Sequence, residues 1–154
     1  MTILLLACLG LVLTGCGSEL AQTEMEDREM KYEKPGEQIP IRIIAGDTVV
    51  DAVLLENGTA QTFAKMLPLT VDLWTPIHYA QAFDLPERIP DRDERTRVYE
   101  RGAIGYWYEG PSIALLYGED EEQTAVPIVK IGKMTSNISI FETYRDTVRV
   151  ELVE

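Results

Sequence analysis

From residue 39 onward, the chain is a series of short segments in which apolar residues alternate with polar ones or run together. Alternation with a period of two is typical of a half-buried strand. Gly46-Asp47 and Glu109-Gly110-Pro111, which separate two pairs of these segments, have the composition of hairpin turns. The pattern predicts eight strands, over residues 39–45, 48–53, 69–74, 77–83, 103–108, 112–117, 126–131 and 147–153.

Between these strands the sequence predicts one short helix and two charged loops. Thr59 is placed to cap a helix over residues 60–67, where apolar residues recur at helical spacing, and Pro68 ends that helix. Residues 85–101 hold two prolines and ten charged residues, as in a long surface loop, and residues 119–122 form an acidic loop. We therefore predict a mainly β protein, a closed β-barrel of about eight strands with one or two short helices.

A different pattern opens the chain. Residues 3–13 form an almost unbroken apolar run of 11 residues, whereas a membrane-spanning helix needs about 20. This length is typical of the apolar core of a signal peptide. The run ends in Leu13-Thr14-Gly15-Cys16, which resembles the lipobox of bacterial lipoprotein precursors. We expect residues 1–15 to be a signal peptide and Cys16 to receive the lipid. A buried core segment ending in cysteine is the alternative, and the polar stretch that follows argues against it.

Residues 16–38 are expected to join the lipidated cysteine to the domain as an acidic tether. Residues 17–38 carry seven acidic and three basic residues and have no clear apolar period, as in a solvated linker. A flexible linker of this length spans about 25 Å. Met25, Met30 and Tyr32 leave open a short helix docked on the domain. The sequence thus predicts a protein held at the extracytoplasmic face of the cell envelope, at the outer membrane if the cell has two.

Composition and charge limit the partners of the domain. The 154 residues favour one domain, over residues 39–154, and the formal net charge is −12. Nucleic acid is excluded as a partner, because the phosphate backbone is repelled and no basic cluster offsets this charge. Contact with the membrane is expected through the lipid on Cys16. Cys8 would leave with the signal peptide, so no disulfide is expected.

Several short motifs, in their order and spacing, resemble the small bacterial cyclophilin-like domain proteins. The resemblance covers residues 39–154 and implies a cyclophilin-type barrel of about eight strands. The motifs that carry it are Gly46-Asp47, Asn57-Gly58-Thr59-Ala60, Leu67-Pro68-Leu69, Leu85-Pro86-Glu87-Arg88-Ile89-Pro90, Arg101-Gly102-Ala103-Ile104-Gly105-Tyr106-Trp107 and Val129-Lys130-Ile131-Gly132-Lys133.

The resemblance does not extend to prolyl isomerase activity. Ordinary cyclophilins carry an arginine shortly after a Phe-His pair and then a Gln-Gly-Gly segment, and this chain has neither. Its one histidine, His78, precedes Tyr79. His78 could act as a general base, but the sequence has no nucleophile motif to accompany it. We assign no catalytic residue on this basis.

The sequence predicts no cofactor and no metal site. Asp91, Asp93 and Glu94 have the oxygen chemistry for calcium, but they alternate with Arg92 and Arg95, and a salt-bridged loop is the stronger interpretation.

Aromatic residues give the best candidates for binding. Tyr106 and Tyr108 should face one side of their strand and Trp107 the other. Core packing accounts for most aromatic residues, but an exposed cluster would line a shallow groove for a peptide or small ligand. The candidate lining residues are Tyr79, Phe83, Trp107 and Tyr117. Arg92, Arg95 or Arg97 would reach the carbonyl of a bound proline peptide.

The first hypothesis is therefore a non-catalytic, lipid-anchored binding module with a cyclophilin-like barrel. The alternative is a divergent peptidyl-prolyl isomerase acting on exported proteins. A third hypothesis is a structural partner in an envelope assembly.

Overall fold

A computed structural model describes residues 38–90, 93–119 and 123–154. The signal peptide, Cys16 and the tether predicted above lie outside these residues. The described residues form ten strands, one α-helix, α1 (Gly58–Met66), and a 3₁₀ helix (Ile138–Glu142). The strands are β1 (Ile39–Ala45), β2 (Thr48–Leu54), β3 (Leu69–Asp72), β4 (Trp74–Ile77), β5 (Ala80–Asp84), β6 (Arg95–Val98), β7 (Ala103–Trp107), β8 (Ser112–Leu116), β9 (Gln123–Met134) and β10 (Thr147–Leu152).

All ten strands belong to one antiparallel sheet. Its order is β3-β10-β1-β2-β9-β7-β8-β5-β4, and β6 pairs with β9 beside this path. The two edge strands of the path, β3 and β4, follow each other in sequence and are separated by Leu73 alone. The sheet therefore curls so far that its two edges are one residue apart along the chain.

The prediction of a closed barrel of about eight strands is correct in class and wrong in two details. The sheet has ten strands, and hydrogen bonds do not close it. The first difference arises where one predicted strand, residues 69–74, divides at Leu73. The Leu73 side chain is buried and its N–H donates to the carbonyl of Asp146 at 3.4 Å, so β3 stays with β10 while β4 turns to pair with β5.

The other additional strand lies in residues 85–101, which are only partly a surface loop. They contain strand β6, and the side chains of Ile89 and Tyr99 are buried. The Tyr106 hydroxyl donates to the carbonyl of Ile89 and accepts from its N–H, at 3.2 and 3.0 Å. A buried tyrosine of β7 thus fixes the middle of this segment on the barrel.

The helix α1 begins two residues earlier than the sequence pattern predicts. Its N-cap is Asn57, whose side chain accepts from the Ala60 N–H at 2.9 Å, and not Thr59. The Asp93 carboxylate also serves this helix end, because it accepts from the Thr59 N–H at 2.7 Å and from the Thr59 hydroxyl. The Thr59 hydroxyl holds the pKa of Asp93 below its usual value, and the Thr59 and Gly58 backbone N–H groups lower it further.

Apolar side chains pack on both sides of part of the sheet. The main core fills the inside of the curl, where Phe83, Ile104, Tyr106 and Ile113 are fully buried. A second, smaller cluster lies outside it, around Tyr79, Tyr99, Leu116 and Ile128. Strands β5, β7 and β8 therefore carry apolar side chains packed on both faces. The site described below lies on the outer face, beside the second cluster.

No helix in the described part of the chain is both long and apolar enough to cross a membrane.

We predict that Asp93→Asn destabilises the protein near neutral pH and that this effect fades in acid. A carboxyl whose pKa is lowered on folding stabilises the folded state above its unfolded pKa, and this stabilisation is lost as pH falls through the folded pKa. A helix-capping group of this kind contributes about 1 kcal/mol. Urea unfolding of both proteins between pH 7 and pH 3 measures the difference. An equal difference at every pH would contradict a role for the Asp93 charge.

Candidate functional site

The candidate site is an apolar trough of about 300 Å³ on the outer face of the sheet. Strands β4, β5, β8 and β7 form its floor and two of its walls, and the first half of β9 forms its rim. The side chains that line it are those of Trp74, Pro76, Ile77, Tyr79, Ala80, Ala82, Trp107, Ser112, Ala114, Leu116, Thr124, Ala125, Val126 and Ile128.

The floor is low because two alanines, Ala82 and Ala114, lie side by side across the sheet, and the glycine next to them, Gly105, lies beneath the Ile128 side chain. Ala82 of β5 pairs with Ala114 of β8, and Ala114 pairs with Gly105 of β7. Neighbouring strands are about 4.8 Å apart, so this row extends for about 10 Å without a side chain longer than a methyl group. Trp74 pairs with Ala82 from β4 and ends the row on that side.

Two walls of the trough are seated on glycines. The Trp107 indole lies against Gly110 so closely that a Cβ there would be 2.3 Å from the Cζ3 atom of the ring. The Ile128 side chain lies over Gly105, where a Cβ would be 2.4 Å from Cδ1. Contacts under 3.0 Å force one group to move. The two glycines therefore set the positions of these walls.

Hydrogen bonds fix the remaining sides. The Trp74 Nε1–H donates to Asp84 Oδ1 at 3.2 Å, which orients an indole that is 38% exposed. The Tyr79 hydroxyl accepts from the Ala125 N–H at 3.0 Å and donates to the Gln123 carbonyl at 3.3 Å. Tyr79 thus holds the start of β9 as the rim of the trough.

Sequence reasoning named four lining residues, and the structure brings two of them to the trough. Tyr79 and Trp107 line it, whereas Phe83 is 1% exposed in the inner core. Phe83 follows Ala82 on β5, and alternation turns the two side chains to opposite faces. Tyr117 is also buried against the inner core, and it borders a separate polar cavity that shares only Tyr79 with the trough.

Sequence reasoning missed the residues that make the trough a depression. They are Trp74 and the small residues Ala82, Ala114 and Gly105. A signal was present, since most outward positions of β5, β7 and β8 are small (Ala80, Ala82, Ala103, Gly105, Ser112 and Ala114), while the inward positions carry large side chains. This pattern indicates strands whose two faces are both apolar. Small side chains on the outer face leave space there for a cavity.

The polar cavity beside the trough is lined by Tyr79, His78 and Tyr117, among others. The His78 ring stands edge-on to the Tyr79 ring, with centroids 5.1 Å apart. Arg101 donates to Glu142 at 2.9 Å across this cavity and also to the Tyr117 carbonyl. These contacts hold the 3₁₀ helix against the sheet, and they form no nucleophile–base pair.

The sequence favoured a salt-bridged loop over a calcium site at Asp91, Asp93 and Glu94, and no three metal-binding side chains come together among the described residues. Asp93 is occupied at the start of α1, and Asp91 and Arg92 lie outside the described residues. Arg95 donates to Glu109 at 2.8 Å and lies over the Tyr108 ring.

Of the two predicted arginines that the structure describes, Arg97 contacts the rim of the trough. Its Nε donates to the Thr124 carbonyl at 2.9 Å, and its Nη2 donates to the Ala125 carbonyl at 3.2 Å. Both partners line the rim. A guanidinium therefore lies at the rim, held by two backbone acceptors.

The described residues form a mainly β protein built on one curled antiparallel sheet. Comparison with known proteins identifies its family. The model of the Cyclophilin-like family matches residues 43–153, and the chain belongs to this family. The cyclophilin-like resemblance inferred from the sequence motifs is confirmed over these residues.

A solved structure supports the fold. The solution structure of a hypothetical protein from Archaeoglobus fulgidus is similar, with a TM-score of 0.64 and 20% sequence identity over 79% of this chain and 99% of that chain. No curated protein sequence matches this chain.

We predict that Gly110→Ala displaces the Trp107 indole. The chain has two tryptophans and both line the trough, so fluorescence excited selectively in tryptophan, and not in the seven tyrosines, reports on this site. The variant should change emission intensity and wavelength, while the unfolding midpoint falls only slightly. Gly58→Ala is the matched control, because its new Cβ would be 3.7 Å from the nearest atom, an ordinary contact. Unchanged emission in Gly110→Ala would contradict the seating of Trp107.

Proposed function

We propose that the protein is a non-catalytic binding module whose trough receives an apolar side chain of a peptide or an apolar part of a small molecule. The observation that carries the proposal is the apolar depression over Ala82 and Ala114. Its walls are two tryptophans and Ile128, held by an aspartate and two glycines. Ligand sites in proteins are commonly concave, mostly apolar and largely preformed.

The size of the trough sets the expected strength of binding. Burying one large apolar side chain contributes about 1.5–3 kcal/mol. Aromatic walls add about 0.5–1.5 kcal/mol for an aromatic ligand group. Because the walls are already positioned, little ordering free energy is lost on binding. A single side chain would thus bind weakly, and higher affinity would need contacts beyond the trough.

A divergent peptidyl-prolyl isomerase is the second candidate. One observation favours it, namely the Arg97 guanidinium at the rim of an apolar cavity. It would donate to the carbonyl preceding a bound proline only if it released the carbonyls of Thr124 and Ala125. In an isomerisation assay with proline tetrapeptides, a rate above the uncatalysed one that Arg97→Ala abolishes would establish this candidate, and an uncatalysed rate would exclude it.

We also propose that the domain is held at the extracytoplasmic face of the cell envelope by lipid on Cys16. The support is the sequence alone: an apolar run of signal-peptide length, the Leu13-Thr14-Gly15-Cys16 motif and a polar segment before the first strand. Partners in the envelope would then meet the trough at a distance from the membrane that the tether sets.

Lipidation predicts a specific mature N-terminus. Mass spectrometry of the protein expressed in a bacterium should find Cys16 as the first residue, carrying a diacylglycerol and further acylation. Cys16→Ser should leave the precursor unprocessed and without the added acyl mass, while Cys8→Ser should change neither property. An unmodified Met1, or a free thiol on Cys16, would contradict the anchor.

Filling the trough should abolish binding without unfolding the domain. Ala114→Phe places a phenyl ring over the floor from an outward-facing position. Against tryptophan-free pentapeptides centred on Phe, Leu or Pro, we expect the affinity to fall by at least about tenfold, the loss of one such buried contact. Tryptophan fluorescence and NMR titration measure this binding.

Val49→Phe is the matched control for that substitution. Val49 is an outward-facing residue of β2, 43% exposed, and it does not line the trough. The control should bind as the wild type does. Equal binding by wild type and Ala114→Phe would contradict the proposal, as would the absence of any saturable shift across the three peptides.

A further inference from the structure

Three hydroxyl groups belong to side chains that line the trough, and two of them are engaged within the protein. The Tyr79 hydroxyl holds the start of β9 through two hydrogen bonds. The Thr124 hydroxyl donates to the Val126 carbonyl at 2.6 Å. The third belongs to Ser112, and it makes no hydrogen bond with any residue in the described part of the chain. The trough therefore contains one hydroxyl that remains available to a ligand.

The Ser112 residue is almost completely buried, at 3% exposure, yet its Oγ atom is open to the trough. Among the described residues, Gln81 Nε2 is the one fully enclosed side-chain nitrogen or oxygen without a hydrogen-bond partner. The unpaired Ser112 Oγ is therefore not fully enclosed, and the surface that Ser112 lines is the trough. When an apolar group covers such a hydroxyl, the hydroxyl loses its water and gains no bond in return.

The strand register determines which side chains lie beside this hydroxyl. Ser112 of β8 pairs with Trp107 of β7 on one side and with Asp84 of β5 on the other. Directly opposite residues point to the same face of a sheet, with Cβ atoms about 5 Å apart. The Asp84 carboxylate accepts from the Trp74 indole through its Oδ1 atom. The Ser112 hydroxyl thus lies between an aromatic wall and a carboxylate.

These neighbours limit the chemical groups that can cover the hydroxyl favourably. A serine hydroxyl both donates and accepts, whereas an ionised carboxylate only accepts. A carbonyl or carboxylate of a ligand would direct its lone pairs towards the Asp84 oxygens, but an O–H or N–H group can donate to Ser112 or to Asp84. The indoles of Trp107 and Trp74 favour an aromatic partner. This end of the trough is therefore suited to an aromatic ring that carries a hydrogen-bond donor.

We propose that the group inserted into the trough is an aromatic ring bearing a hydrogen-bond donor, as in a phenol or an aromatic amine, and that Ser112 determines this selectivity. The inference rests on the proposed binding function and names the class of ligand for the same site. In a peptide, tyrosine has this chemistry, because its hydroxyl lies at the far end of an apolar ring. The ring packs against the indole walls, and its hydroxyl replaces the water that Ser112 loses.

Four acetylated, amidated pentapeptides test the inference. They differ only in the central residue and have serine at the other positions. The central residues are tyrosine, 4-aminophenylalanine, phenylalanine and 4-methylphenylalanine, of which the first two carry a donor at the end of the ring. The methyl group of the fourth is close in size to the hydroxyl of the first but is apolar. NMR shifts of the Ala82 and Ala114 methyl groups give each affinity.

We expect the tyrosine and 4-amino peptides to bind about fivefold or more tightly than the phenylalanine peptide, the effect of one hydrogen bond to a group otherwise left unpaired. The 4-methyl peptide should bind no more tightly than the phenylalanine peptide, because its methyl group covers the Ser112 hydroxyl without bonding to it. Apolar burial alone predicts the opposite order, since it favours a methyl group over a hydroxyl. The order of the affinities therefore separates the two effects.

Ser112→Ala tests the residue, because it removes the hydroxyl and keeps the side chain small. The advantage of the two donor peptides should disappear, while the phenylalanine peptide should bind as tightly as before or more tightly. The unfolding midpoint should not fall, because a hydroxyl without a partner makes no bond that stabilises the free protein. Ser139→Ala is the matched control, since it removes an exposed serine hydroxyl that does not line the trough, and it should retain the preference.

The outcomes separate this inference from the function on which it rests. Equal affinity for all four peptides, lost in each case in Ala114→Phe, would overturn the donor preference and leave the binding function intact. Tighter binding of the 4-methyl peptide than of the tyrosine peptide would also overturn it, as would a preference that survives in Ser112→Ala. Failure of all four peptides to bind would contradict the binding function itself.

Discussion

The register of three neighbouring strands, β5, β8 and β7, is the constraint on which the inner core and the outer trough both depend. Ala82, Ala114 and Gly105 lie in one row across these strands. The neighbouring inward positions carry the large side chains of the core. A slip of one residue would exchange the two faces. It would drive large apolar side chains into the trough and leave a void in the barrel, so the core that stabilises the fold also enforces the shape of the site.

Glycine serves the site through close contact rather than through unusual backbone conformation. Neither Gly105 nor Gly110 has a positive φ, unlike Gly46 in the first hairpin. At each position only glycine leaves room for the wall side chain that packs directly on the backbone. Trp107 and Ile128 are thereby held without a covalent or ionic constraint. This explains how a small sheet protein presents a preformed apolar surface despite few polar contacts around it.

Sequence reasoning predicted the strand-rich fold, the hairpins, the helix after Asn57 and the opposite facing of Tyr106 and Trp107, because these follow from local pattern and turn chemistry. It did not predict β6 or the break at Leu73. Both depend on contacts distant in sequence, namely the pairing of β6 with β9 and the bond from Leu73 to Asp146. Within the site, Tyr79 and Trp107 were identifiable as aromatic residues. The floor was not, because alanine and glycine become informative only when register places them together.

The most direct test of the account is NMR titration of alanine-methyl-labelled protein with the phenylalanine-centred peptides. The methyl groups of Ala82 and Ala114 form the floor, whereas those of Ala45 and Ala60 are buried in the inner core. We predict large, saturable shifts of the two floor methyls, with the ring-current effect of the entering phenyl group, and little change in the two core methyls. Floor methyls that stay unchanged while other surfaces respond would contradict the assignment of the trough as the binding site.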